Sequence, residues 1–278
     1  MFKGRQLIIA TKHKKETAIA PILEDKLGVA CFVDRTFDTD LLGTFSGEVE
    51  RNQSPIETAR LKCLKAMEIN QCDLGVASEG SFGAHPSLTF ASADDEFLIL
   101  IDKKNNLEIS VRTLSTATNF NGKAIPDENA LLEFADAVNF PSHALILRPS
   151  KTSTQDIIKG ITNTTDLKIA FSTLLEKHKT VFAETDMRAM YNPMRMQVIT
   201  DATQKLVTKI KSCCPECHTP GFGVTDAKGG LPCDQCAMPT QSTLSLIYTC
   251  AKCKASKEEL YPNNKHTEDP MYCDYCNP

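Results

Sequence analysis

The chain has 278 residues, 41% of them apolar and 24% charged, with a formal net charge of −4. That is enough apolar material for one large domain or two ordinary ones, and it excludes wholesale disorder. The acidic balance argues against a broadly basic nucleic-acid binder, and apolar runs of about five residues fall far short of the roughly 20 that a membrane helix needs.

The opening M-F-K-G-R-Q-L-I-I-A-T-K-H-K-K has too short an apolar run for a signal peptide, so a cytoplasmic location is expected. Residues 6–11 read as a short buried strand. Residues 14–27 carry Ile19, Ile22, Leu23 and Leu27 at helical spacing, and Pro21 predicts a late start or a kink. A second strand covers 30–33, and 38–50, with Gly43 and Gly47, reads as a loop or hairpin. Ser54-Pro55-Ile56-Glu57 is a helix start with a serine cap, proline in the first turn and an acid three residues after the cap. Residues 74–77 read as a strand running into a glycine-rich turn, S-E-G-S-F-G-A-H-P. Strands at 96–101 and 107–111 flank Lys103-Lys104-Asn105-Asn106 as a hairpin. Strands are expected at 144–147 and 181–184, and helices at 127–138, 166–177 and 194–210. The alternation predicts an α/β fold on a mixed sheet, two-lobed, over residues 1–211, followed by a small domain over 212–278.

That small domain is defined by cysteine. Nine of the twelve cysteines lie beyond residue 212, eight of them as C-x-x-C pairs: Cys214/Cys217, Cys233/Cys236, Cys250/Cys253 and Cys273/Cys276. Two residues between thiolates let one tight knuckle place both sulfurs about 2.3 Å from one ion. Fifteen residues separate Cys217 from Cys233 and nineteen separate Cys253 from Cys273, spacings that fit a zinc ribbon in which a hairpin joins two knuckles. The expectation is two tandem ribbons, each closed by four consecutive cysteines around one structural zinc. Cys213 reads as a spectator, His218 and His266 as surface residues, and Cys31, Cys63 and Cys72 as small buried side chains. From residue 212 onward five lysines and no arginine stand against eight acids. That is the wrong sign for phosphate backbones and favours a structural or protein-docking tail.

Three constellations in the larger domain could carry chemistry. Lys12, His13, Lys14 and Lys15 lie between the first strand and its helix, where a phosphate could sit or where a basic turn could simply be solvated. Glu57 and Glu79 could share Mg²⁺ through oxygen ligands, although a capping role alone explains Glu57. Asp94, Asp95 and Glu96 are a further source of acidic ligands, or an ordinary exposed turn, which is the reading preferred. Asp186, Arg188, Tyr191, Asn192 and Arg195 surround a helix start, where the arginines could grip phosphate or form salt bridges within the domain.

In order along the chain stand I-A-T-x-x-x-K (residues 9–15), E-T-A-R-x-K (57–62), G-V-A-S-E-G (75–80) and M-R-A-M-Y-N-P (187–193). This series resembles the inosine/xanthosine triphosphatase superfamily of non-canonical purine nucleotide pyrophosphatases, over about residues 5–210. The resemblance implies a cleft between two lobes, a nucleoside triphosphate bound with Mg²⁺, and water attack between the α and β phosphates. It implies phosphate contact by Lys15, metal ligation by Glu57 and Glu79, and a nucleotide contact by Arg188; Lys12 and Arg195 are further substrate-binding candidates from their own positions. Lys12 and His13 stand where that superfamily usually has asparagine, and Gly80 and Ser81 follow Glu79 where it is often rich in aspartate. A second reading is therefore a non-catalytic nucleotide-binding protein whose ribbons dock a protein partner. The whole chain, including its Y-C-D-Y-C-N-P end, also resembles a bacterial family known only as a domain of unknown function with a C-terminal zinc ribbon.

Overall fold

The computed structural model describes residues 1–36, 53–88 and 90–278; the loop or hairpin expected at 38–50 lies outside them. The chain divides into two compact units, Met1–Val207 and Thr208–Pro278. Among the described residues no helix is long and apolar enough to cross a membrane.

The first unit is α/β on a mixed sheet. It opens with β1 (Gln6–Ala10), α1 (Glu16–Leu27), β2 (Ala30–Phe32), α2 (Pro55–Ile69), β3 (Leu74–Ala84), β4 (Ser92–Asp102) and β5 (Leu107–Ser115). The strand order is β2-β1-β3-β4-β5. β1 runs parallel to β2 and β3, whereas β3, β4 and β5 form an antiparallel meander. α2 packs Ala59, Cys63, Ala66 and Met67 on Ile8, Ala10, Ala77, Ile99 and Ile101. Strand alternation then turns Leu7, Ile9, Val76, Ser78, Gly80, Glu96 and Leu98 to the opposite face. α1 passes through Pro21 without ending, with the proline on its exposed side.

Two expectations change here. The glycine-rich stretch after Ala77 is not a turn but the second half of β3, eleven residues long and paired with β4 along its whole length. Asp94, Asp95 and Glu96 are not an exposed turn but the interior of β4, with Asp94 and Glu96 fully buried.

The second sheet of this unit is antiparallel, in the order β6-β9-β7-β8. Its strands are β6 (Gly122–Ile125), β7 (Leu145–Arg148), β8 (Ile158–Ile161) and β9 (Val181–Thr185). β6 and β8 are short, and neither shows alternation long enough to read in sequence. α3 (Glu128–Ala137) and α4 (Thr164–His178) cover it, burying Leu131, Phe134, Leu167, Phe171 and Leu174. α5 (Pro193–Lys211) follows β9 and ends in the second unit.

The second unit is a three-stranded antiparallel meander, β10 (Gly223–Gly229), β11 (Thr243–Thr249) and β12 (Ser256–Leu260). Its apolar core is small: Phe222 stacks on Tyr248 at 5.8 Å between ring centroids, beside Cys214 and Cys250.

Candidate functional site

At the carboxyl end of β1, five elements bring six charged side chains together, and all six are buried: Lys15, Lys62, Glu79, Asp94, Glu96 and Arg195. Lys15, at the start of α1, donates from Nζ to the Ser78 carbonyl at 3.1 Å and to Ser78 Oγ at 3.0 Å. Lys62 of α2 pairs with Glu79 Oε2 at 2.7 Å. Arg195 is placed by the start of α5. The Asn192 side chain caps that helix by accepting the Arg195 backbone N–H at 3.0 Å, and Pro193 occupies the first turn. Arg195 Nε then donates to Glu96 Oε1 at 2.6 Å, its Nη1 to the Met187 carbonyl, and its guanidinium lies 4.8 Å from the centre of the Phe82 ring.

Register explains the arrangement. Gly80 lies directly across from Glu96, and Phe82 across from Asp94. A Cβ on Gly80 would overlap Glu96 Oε1 and Arg195 Nη2, so this position must be glycine for the ion pair to sit over the strand. Glu79 points to the other face, where α2 supplies Lys62.

The electrostatics are those of charge held away from water. Burial, reinforced by the Arg195 charge, pushes the Lys15 ammonium down to about 8. Burial and the neighbouring Glu96 push Asp94 well above the ordinary carboxylate range. Both Asp94 oxygens, Glu96 Oε2 and the hydroxyls of Thr11 and Thr113 are buried with no hydrogen-bond partner.

Of the residues proposed from sequence, Lys15, Glu79 and Arg195 enter this cluster. Glu57 does not. Its carboxylate accepts from the Ser54 backbone N–H at 3.0 Å and from Ser54 Oγ at 2.6 Å, completing a capping box on the surface. Glu79 is held by Lys62 on the buried side, whereas Glu57 is engaged with Ser54 on the surface. Arg188 grips Asp186, with Nε 3.0 Å from Oδ1, and lies over the Tyr191 ring at 4.6 Å. Lys12 lines a separate cleft of about 560 Å³ with Thr11, Lys14, Thr17, Asp34 and Arg35, at the carboxyl ends of β1 and β2 and the start of α1. Sequence reading gave Lys62 no role and set Asp94 and Glu96 aside as a turn. The signal was present in the alternation Asp94-x-Glu96-x-Leu98-x-Leu100, which puts both acids on the buried face of one strand.

The second site is the pair of cysteine tetrads, and their membership differs from the tandem ribbons expected. Cys214, Cys217, Cys250 and Cys253 form one, and Cys233, Cys236, Cys273 and Cys276 the other. Sulfurs in the first lie 3.6 Å apart (Cys214 to Cys253, Cys217 to Cys250); in the second they lie 3.9 Å (Cys233 to Cys276) and 3.6 Å (Cys236 to Cys273) apart. A disulfide needs about 2.05 Å, whereas a tetrahedron with zinc–sulfur bonds of about 2.3 Å has edges near 3.8 Å. Each tetrad can therefore hold one zinc ion.

The crossed pairing follows from the meander. Each gap between knuckles contains one strand, not a hairpin, so successive knuckles fall at alternate ends of the sheet. Gly223 at the start of β10 pairs with Thr249 at the end of β11, bringing the first and third knuckles together. The fourth joins the second through Glu268, whose backbone bonds Pro232 and Asp234. The knuckles share one geometry: the N–H four residues after the leading cysteine bonds its carbonyl, as at His218, Ala237 and Lys254, each with φ between 56° and 64°. Cys213 belongs to neither tetrad, and the same holds for His218 and for His266, whose ring lies 4.4 Å from that of Tyr261.

Fold and sites together define an α/β protein with a buried charge cluster, carrying a small module cross-braced by two metal-binding cysteine tetrads. The chain belongs to the family described as Domain of unknown function (DUF6671), whose model matches residues 62–278. That span includes Lys62, Glu79, Asp94, Glu96, Arg195 and all eight tetrad cysteines. No curated protein matches the chain.

Proposed function

We propose that the first unit is a Mg²⁺-dependent phosphohydrolase acting on a nucleoside triphosphate, with the cysteine module held by two structural zinc ions. The observation that carries this reading is the cleft at the carboxyl ends of β1 and β2. Its walls carry three cations, Lys12, Lys14 and Arg35, against two acids, Glu16 and Asp34; it lies at the start of α1, which no side chain caps, and the unpartnered Thr11 hydroxyl is on its wall. Helix starts and carboxyl strand ends are where α/β folds receive phosphate. The buried Lys15 follows Lys14 of the cleft wall in the chain, and the motifs that resemble the pyrophosphatase superfamily run in order from β1 to the start of α5. Water would attack the α phosphorus, the bond to the bridging oxygen would break, and pyrophosphate would leave with that oxygen. The protein would contribute cations that offset charge growing on the phosphoryl oxygens. A bound divalent ion supplies the remaining positive charge.

A pyrophosphate-release screen with Mg²⁺ across common and deaminated nucleoside triphosphates tests this. Turnover is expected for at least one, and Lys15→Met should lower it by about 10²-fold or more with the fold intact. Silence across the panel overturns hydrolysis. One observation favours the second reading, nucleotide binding without turnover and a docking role for the cysteine module: Glu79, the acid expected at the metal, is engaged by Lys62. Retained nucleotide binding in a silent protein would establish it. Free thiolates for eight zinc ligands suit a reducing compartment such as the cytoplasm.

A further inference from the structure

The unpartnered atoms around Asp94 define a ligand by what they lack. Asp94 Oδ1 and Oδ2 and Glu96 Oε2 are fully buried and have no hydrogen-bond partner. Arg195 and Lys15 do not meet this need: Arg195 Nε and Nη1 are directed to Glu96 Oε1 and the Met187 carbonyl, and Lys15 Nζ to Ser78. An independent atom points the same way. Thr113 of β5, directly across from Glu96 and so on the same face, buries an unpartnered hydroxyl beside it. Glu96 is compensated at one oxygen by Arg195, but its Oε2 and both Asp94 oxygens are buried without a hydrogen bond, which is costly for the charged form.

The geometry points to a divalent-cation site built by Asp94 and Glu96 of β4, with Thr113 beside them. The donor set is all oxygen, which selects Mg²⁺ or Mn²⁺ over zinc, and two carboxylates are the complement Mg²⁺ takes when water or phosphate oxygens fill its other positions. The ion would sit on the face of β4 that carries Asp94 and Glu96, with Thr113 across from Glu96, and not with Glu57 and Glu79. The site stands on the placement of these atoms alone; only its use in hydrolysis rests on the reading above.

Mn²⁺ titration of the full-length, zinc-loaded protein, read by loss of the free-ion EPR signal, tests it without nucleotide. One Mn²⁺ per chain should bind and be displaced by Mg²⁺. Asp94→Asn should weaken binding at least about tenfold, the loss already typical of a partner one shell further out. It removes a buried carboxylate that makes no hydrogen bond in the cation-free protein, so the cation-free thermal midpoint should not fall, which separates lost ligation from lost folding. Asp95→Asn, on the opposite face and paired with Arg112, should bind as wild type does. No binding by wild type, or binding unchanged in Asp94→Asn, overturns the site. Bound Mn²⁺ with no pyrophosphate release would leave the site standing and remove the hydrolase reading; metal-independent release without bound Mn²⁺ would do the reverse.

Discussion

Glu57 and Glu79 carry the same functional group in neighbouring elements, yet their surroundings give them different work. Glu57 closes a capping box on the surface, so Glu57→Ala should lower stability slightly and leave cation binding unchanged; chemical denaturation and the Mn²⁺ titration check the two halves. Glu79 neutralises a buried lysine, so its removal would leave Lys62 uncompensated, and lost activity in such a variant would not identify a catalytic acid. Asp102 shows the pH consequence of burial with good partners. Burial raises its pKa, but hydrogen bonds from Arg5 and Asn105 outweigh this and hold it below the ordinary 3.8. The folded state therefore gains stability from the ionised Asp102, fully present above about pH 4 and lost as pH falls through the lower folded value. Asp102→Asn should cost roughly 2–3 kcal/mol at neutral pH and flatten the acid limb of a stability–pH curve.

Packing at the level of elements turns on small residues. A Cβ on Gly75 would lie 2.8 Å from Met67 Cγ and 2.9 Å from Cys63 Sγ, because α2 sits directly on β3 there. Gly75→Ala should push that helix outward and cost about 1–3 kcal/mol by denaturant titration. In the cysteine module the crossed pairing makes a prediction that tandem ribbons would not. With cadmium-113 in place of zinc, scalar couplings should link one metal to the β-protons of Cys214, Cys217, Cys250 and Cys253, and the other to those of Cys233, Cys236, Cys273 and Cys276. Couplings grouped by consecutive knuckles would refute it. The spacing alone could not decide between them, since gaps of fifteen and nineteen residues accommodate either a hairpin or one strand with its turns. Only strand pairing shows that a single strand fills each gap.

At the scale of the whole molecule, the two units draw stability from different sources. The first buries two apolar clusters under α2 and under α3 and α4. The second has few buried apolar side chains, and the two zinc ions proposed for its tetrads would make up for them, since a structural site is worth an apparent ~10–16 kcal/mol in small zinc domains. Elemental analysis should find two zinc ions per chain. Strong chelation should abolish hydrogen-exchange protection in β10–β12 and leave it in β3–β5; protection surviving in β10–β12 would show that the meander stands without metal.

The sequence by itself determined what is local or chemically exclusive. C-x-x-C pairs bring two thiols to one knuckle, so the eight cysteines that gather into metal-compatible tetrads were legible. So were the long periodic helices, the serine-capped start of α2 and the hairpin at Lys103–Asn106, each specified by residues within one or two turns of it. Tertiary structure decided which groups share a space. Glycines that spell a turn became the middle of a long strand once β4 paired along them. Two acids that read as a solvated turn became buried, because alternation sets only which residues share a face, and packing decides which face is covered. The partner of each knuckle likewise came from antiparallel pairing, a long-range choice that no local spacing encodes.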